Sequence, residues 1–187
     1  MEPVTLNGPR LILRPWRDED LAPLAAINGD PATMRYFQAP MTRAESDAWA
    51  ARIRAHIEAK GWGFWAVEWP GVSPMVGVVG LLPVSFNAWF TPAVEVGWRI
   101  APGFQRQGLA EEAARISLAF GFGRLNLPRI VAFTVPANEP SWRLMQKLGM
   151  AKLGEFEHPR LPEGHHYRPH ILYGLTREDW IDSRLGG

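Results

Sequence analysis

The chain has 187 residues, 47% of them apolar and 21% charged, with a formal net charge of +1. This composition suits one globular domain with a sizeable core, and the near-neutral balance gives no sign of a nucleic-acid binder. It contains no cysteine, which excludes disulfides, thiolate metal sites and a cysteine nucleophile. No apolar run approaches the ~20 residues of a membrane span. The opening MEPVTLNGPR lacks a basic start followed by an apolar core, so no secretion signal is expected and the cytoplasm is the expected compartment. The nine tryptophans read as core or pocket wall, because large aromatics carry much of the burial energy of any fold.

Leu11 to Pro15 reads as a short strand. Asp18 is placed to cap a helix carrying Leu21, Leu24 and Ala25, with Pro23 early enough to be tolerated. Pro40 ends that region. Thr42 with Glu45 three residues on forms a capping box for a longer helix, whose apolar stripe is Trp49, Ile53 and Ile57 and whose stop is Gly61. Trp62 to Glu68 and Met75 to Val84 are strand-like around a turn with Gly71 and Pro74, and Ala93 to Ile100 is a further strand. A helix follows from Leu109 to Phe122, with Leu109, Ala113, Ile116 and Phe120 on one face. Arg129 to Val135 is again strand. Asn138 opens a short helix closed by Gly149, and Met150 to Phe156 and Pro169 to Leu175 form a closing pair of strands around a histidine-rich loop. There is no internal repeat. A meander followed by a strand–helix–strand unit predicts an α/β fold, a mixed sheet with helices on its faces.

The turn Gln105-Arg106-Gln107-Gly108-Leu109-Ala110 joins a strand to a helix. A helix start presents unpaired N–H groups and the positive end of a dipole, which attract anions. Gly108 and Ala110 leave the backbone accessible, while Gln105 and Arg106 add side-chain donors. Q-x-x-G-x-A after a strand therefore reads as a pyrophosphate cradle. The other reading is an ordinary strand–helix connection in which glycine eases the turn. A P-loop would need Gly-Lys-Ser/Thr at the helix start, and a dinucleotide site would need an early G-x-G-x-x-G; neither is present.

Three stretches carry a family resemblance. P-G-F-Q-R-Q-G-L-A-x-E-A after E-V-G-W-R-I resembles the acetyl-CoA signature of the GCN5-related N-acetyltransferases (GNAT superfamily), Q/R-x-x-G-x-G/A. Asn138-Glu139-Pro140-Ser141, Leu144 and Lys147-Leu148-Gly149-Met150 resemble the family's N-x-x-S-x-x-L-x-x-K-L-G-F. The N-terminal L-N-G-P-R-L-I-L-R-P-W-R-D-E-D-L is similar to the RimJ/RimL-like branch, which acetylates ribosomal-protein N-termini. The likeness spans about residues 6 to 180. It implies one N-acetyltransferase domain over 1–187, built on a mostly antiparallel twisted sheet with flanking helices. In the family, two central strands, here Val94–Ile100 and Arg129–Val135, splay apart to admit the cofactor.

The implied reaction is attack of an amine on the thioester of acetyl-CoA, by direct transfer. The amine must lose a proton, the developing oxyanion needs donors and the leaving thiolate needs an acid. The resemblance sets Trp98, Arg99 and Ile100 along the pantetheine arm, Gln105, Arg106, Gln107, Gly108, Leu109 and Ala110 at the diphosphate, and Asn138 and Ser141 against the cofactor. Glu95 is the candidate base, direct or through water; its other reading is a solvated strand residue or ion-pair partner. A backbone N–H near Trp98 is the oxyanion candidate. Many relatives place a tyrosine acid one residue after the leucine of the second signature. That position here is Met145, and Ser141 is the replacement. Asn138 also reads as a helix cap and Ser141 as an ordinary first-turn serine. His158, His165, His166 and His170 crowd a proline-rich loop that lacks an H-E-x-x-H helix, so a substrate-side or structural loop is expected there and no metal. The acceptor is an amine, of a protein N-terminus or of a small molecule such as an amino acid, polyamine or aminoglycoside. A non-catalytic acyl-CoA sensor is the reading from another class. Neither nucleic acid nor membrane is expected as partner, and the chain is expected to be a monomer or homodimer.

Overall fold

The computed structural model describes residues 2–185, with side chains through residue 182. Eight strands form one sheet in the order β1-β2-β3-β4-β5-β6-β8-β7. They are β1 (Leu6–Asn7), β2 (Ile12–Arg14), β3 (Phe64–Trp69), β4 (Ser73–Pro83), β5 (Val94–Ile100), β6 (Arg129–Thr134), β7 (Ala151–Glu157) and β8 (Pro169–Thr176). The helices are α1 (Leu21–Gly29), α2 (Arg43–Lys60), α3 (Leu109–Gly123), α4 (Glu139–Lys147) and α5 (Arg177–Leu185). β5 pairs with β6 in parallel, whereas β1–β2, β2–β3, β3–β4, β6–β8 and β7–β8 are antiparallel. The predicted mixed sheet with flanking helices is thus the observed one.

The chain resolves into two compact units. One holds Met1–Leu81 and Gly97–Ser117, the other Leu82–Val96 and Leu118–Gly187. The boundary falls inside β5. In the first unit β3 and β4 are buried over Trp65–Val67 and Met75–Leu81, which is why they read as continuous apolar runs. Arg14 ties this unit together. Its guanidinium donates to both carboxylate oxygens of Asp20 (2.7 and 2.9 Å), to Glu68 (2.6 Å) and to the carbonyl of Pro74 (2.7 Å). These partners push the Arg14 pKa up against the opposing effect of burial. α2 begins with the expected box: the Glu45 N–H donates to the Thr42 hydroxyl at 3.2 Å and the Thr42 N–H to Glu45 at 2.7 Å. It ends on Gly61 at φ 82, a left-handed cap that any Cβ would strain. Its buried face is Ser46, Ala50, Ile53 and Ile57; Trp49 is half-buried, edge-on to Trp16 at 6.3 Å.

In the second unit β6 and β8 pair along six residues, from Arg129↔Thr176 to Thr134↔Ile171. Phe90, Val131, Phe156 and Leu172 form a core with Phe86 and Phe133 packed on it. The register of β5 on β6 covers only Val94↔Ile130 and Glu95↔Val131.

Three local expectations change. Asp18 does not cap α1; its carboxylate accepts from Arg54 at 2.7 Å, while Asp20 takes the Arg17 N–H at 2.7 Å. The reason is a short helical turn at Asp18–Asp20 that moves the start of α1 on to Leu21. β1 escaped notice because it is two residues long. α5 escaped because REDWIDSRL buries just Trp180 among its described side chains, tilted on Phe122 at 5.7 Å. A signal for α5 was nevertheless there: Thr176 with Asp179 three residues on, whose N–H donates to the Thr176 hydroxyl at 3.1 Å.

Candidate active site

After β5 the chain makes one helical turn, Pro102–Phe104, and then exposes Gln105 through Gly108 before Leu109 buries itself as the first residue of α3. Arg106 (φ 62) and Gly108 (φ 77) are both left-handed. Alternation of such residues turns successive N–H groups to one side, the geometry of an anion nest. Among the described residues the N–H groups of Arg106, Gln107 and Gly108 make no hydrogen bond. The first amides of α3, at Leu109 and Ala110, have no partner within the helix. A Cβ on Gly108 would meet nothing nearer than Arg10 Nη2 at 3.5 Å, ordinary contact, so backbone conformation rather than space demands glycine.

Three side chains hold this turn in shape. Gln105 Nε2 donates to the Ile100 carbonyl at 3.0 Å and Gln107 Nε2 to the Gly103 carbonyl at 3.2 Å. Both glutamines thus brace the turn from within. Arg10 donates from Nη1 to the Gln107 carbonyl at 3.1 Å and from Nε to Glu112 at 2.7 Å. Glu112 also accepts the backbone N–H groups of Arg10 (2.8 Å) and Leu11 (3.2 Å). Arg10 therefore adds a guanidinium beside Gly108. Sequence reading missed it, because its partner Glu112 is 102 residues away and no local pattern joins them.

Along β5 side chains alternate, with Glu95, Gly97 and Arg99 on one side and Val96, Trp98 and Ile100 on the other. Trp98 is half-buried and Ile100 buried. Glu95 stands in register with Val131, itself part of the Phe90–Phe156 core. Its residue is half-buried, yet its carboxyl is desolvated enough to push the pKa up to about 7, with Arg160 pulling weakly the other way. Among the described residues no hydrogen bond or ion pair reaches this carboxyl. Arg160 is anchored at 2.9 and 2.7 Å on the carbonyl and hydroxyl of Ser85.

The histidine-rich segment divides. His158 and His170 lie 5.0 Å apart and join the aromatic cluster, His158 at 4.7 Å from Phe86 and His170 at 5.5 Å from Phe156. Burial pushes His158 down to about 4, helped by His170 and Arg160, and lowers His170 as well. Both are neutral at pH 7. His165 and His166 stack on each other at 4.7 Å. Among the described residues no three His, Cys, Asp or Glu side chains come together as metal ligands.

α4 begins after Asn138, whose side chain does not cap it but donates from Nδ2 to the Thr134 hydroxyl at 3.0 Å, leaving its amide oxygen open. Ser141 is half-buried in the first turn, and its hydroxyl has no hydrogen bond among the described residues. Met145 is fully buried.

Residues 10–151 match the family described as "Acetyltransferase (GNAT) domain". The uncharacterized N-acetyltransferase YnaD of Bacillus subtilis is 40% identical over 86 residues, a match spanning 46% of this chain and 50%, about half, of that protein. The [ribosomal protein uS5]-alanine N-acetyltransferase of Escherichia coli is 29% identical, across 97% of this chain and 95% of that protein. The spermidine N(1)-acetyltransferase of Escherichia coli is 28% identical, across 90% and 87%. Among solved structures, a GNAT-family acetyltransferase from Bacillus anthracis superposes with a TM-score of 0.78 at 24% identity, covering 94% of this chain and 99% of that one. Mycobacterium smegmatis RimJ in complex with CoA-disulfide gives 0.73 at 21% identity, covering 98% of both. At these identities the structural likenesses establish the shared fold.

Proposed function

The chain belongs to the GNAT acetyltransferase family, an acetyl-CoA-dependent N-acetyltransferase resembling the RimJ/RimL branch, and we propose that its acceptor is a protein N-terminal α-amine. The observation that carries this reading is Glu95, a carboxyl with no partner among the described residues and a pKa of about 7, in register with the aromatic core. A general base works best with a pKa near the operating pH. An α-amine titrates at ~7.7–8.0, within reach of such a base, whereas a lysine at ~10.4 asks for much more. A polyamine such as spermidine would want several carboxylates, and the charge that acts on Glu95 is the cation Arg160, beside a strand register with the core residue Val131.

The residues fit acetyl-CoA. The open amides from Arg106 to Ala110, with Arg10 beside them, suit its diphosphate. Acetyl-CoA supplies the acyl group as a thioester; the new bond is carbon–nitrogen and the broken one carbon–sulfur. Glu95 takes the proton that the amine gives up. A backbone N–H near Trp98 holds the carbonyl oxygen as its charge grows. The Ser141 hydroxyl would hand a proton to the departing sulfur, replacing the tyrosine absent at Met145, and regain one from solvent as Glu95 releases the amine's proton to it. Trp98, Arg99 and Ile100 would hold the pantetheine arm through their backbone, and the open amide oxygen of Asn138 would accept from its amides. The 187 residues act as one catalytic domain in the cytoplasm.

The test is free-thiol release from acetyl-CoA with alanine-first peptides, ε-amine peptides blocked at the N-terminus, and spermidine. Alanine-first peptides should turn over at least ten-fold faster in kcat/KM, with mass spectrometry placing the acetyl group on the α-nitrogen. Faster turnover of spermidine would overturn the acceptor assignment.

A further inference from the structure

In the first unit, Arg99 is half-buried as a residue, yet its guanidinium occupies an unusual setting for a desolvated cation. Its guanidinium lies over the Phe37 ring at 4.6 Å and over the Trp49 ring at 5.6 Å. Nη1 donates to the side-chain oxygen of Asn28. Asn28 is fully buried and fixed in turn by its own donation to the Ser46 hydroxyl at 2.9 Å. Those are neutral partners. The Nε of Arg99 is buried with no hydrogen-bond partner at all. Among the described residues no carboxylate pairs with Arg99. Burial lowers its pKa to about 10, which leaves it charged at neutral pH.

A buried guanidinium is ordinarily paired, because removing a charge from water costs several kcal/mol unless an opposite charge or full hydrogen bonding offsets it. Here the cation is pre-oriented by two rings and one amide, with a donor left open. That is the arrangement of a receptor for an anion rather than of a structural ion pair. By contrast, Arg54 is paired with Asp18 and Arg43 with Asp47. Phe37, 43% exposed, forms the solvent side of the cage, so a ligand need displace only one ring. Asn28 is a neutral residue where an aspartate would have closed the pair internally.

We propose that Arg99 binds a carboxylate of the acceptor, so that the enzyme prefers amines whose molecule also carries an acidic group. Resting on the N-terminal acceptor reading, this assigns the preferred substrate as a peptide that carries Asp or Glu. The backbone of β5 remains available to the cofactor, since only the side chain is committed. Recognition of this kind selects strongly, because an acceptor without the anion leaves the buried donor unpaired.

Thiol release is measured with two pairs of probes. One pair is amidated alanine-first peptides differing only in Asp or Glu against Asn or Gln after the first residue. The other is glycine and β-alanine against their amides. The acidic member should show kcat/KM at least ten-fold higher in whichever pair turns over. Arg99→Met should bring that ratio to near one. Asn28→Asp, which supplies an internal carboxylate and should not lower Tm, should do the same. If the small amines alone react but the carboxylate form is preferred, the peptide reading falls and the Arg99 assignment stands. Equal rates for both members of the reacting pair, or an acidic preference that persists in a folded Asn28→Asp protein, would overturn it.

Discussion

As the proposed general base, Glu95 would join chemistry to stability through one carboxyl. In the unfolded chain it releases its proton near 4.5, in the folded chain near 7, because burial disfavours the charge. Between those values the folded state holds more protons, so its stability falls as pH rises from 4.5 to 7 and stays lower above. Glu95→Gln removes that loss. The variant should be more stable than the parent at pH 8 by on the order of 2 kcal/mol and no more stable at pH 4. Its kcat should drop by about 10²-fold. The parent's acidic limb near pH 7 should disappear, leaving that of the acceptor amine. Paired thermal melts and pH–rate profiles check both effects. A variant that lost activity without gaining stability above pH 7 would separate the two roles assigned to Glu95. His158 works in the opposite sense: its folded pKa of about 4 lies below 6.5, so stability falls as pH drops through that interval.

At the scale of elements, the cradle proposed at the turn into α3 makes binding depend on a single backbone dihedral. Gly108 at φ 77 sits where an L-residue costs roughly 1–2 kcal/mol. Gly108→Val should weaken CoA binding by at least ten-fold in calorimetry and lower Tm by a few degrees. The space around Gly108 is open, so the chain still folds. A valine variant that bound CoA as tightly as the parent would rule out the diphosphate at this turn. The glutamines follow the same logic. Their type and spacing are read from the motif, whereas their side chains brace the carbonyls of Ile100 and Gly103. The free donors at the turn are main-chain, and the nearby cation comes from Arg10, ahead of β2.

For the whole molecule, an anion that binds only the folded state must stabilise it by mass action. CoA at 100 times its Kd should add about 2.7 kcal/mol, which for a chain of 150–250 residues is a rise in Tm of roughly 5–10 °C. Dephospho-CoA retains the diphosphate and should keep most of that shift, whereas pantetheine should give almost none. A full shift with pantetheine would place the affinity in the arm rather than at the cradle.

The sequence alone settled what depends on contiguous residues. The capping box of Thr42 and Glu45, the strand character of the segments that became β3 and β4 and the glycine ahead of α3 are local, because a hydrogen bond, a run of strand-forming residues or a positive φ needs only neighbours in the chain. The family followed from two such stretches. Tertiary structure decided what depends on distance and solvent. It brought Arg10 to Glu112, withdrew water from Glu95, drew His158 and His170 out of their loop into an aromatic cluster, and left Arg99 charged among neutral partners. Charge and proton affinity are set by the surrounding dielectric and by partners far away in sequence, and no spacing along the chain encodes either.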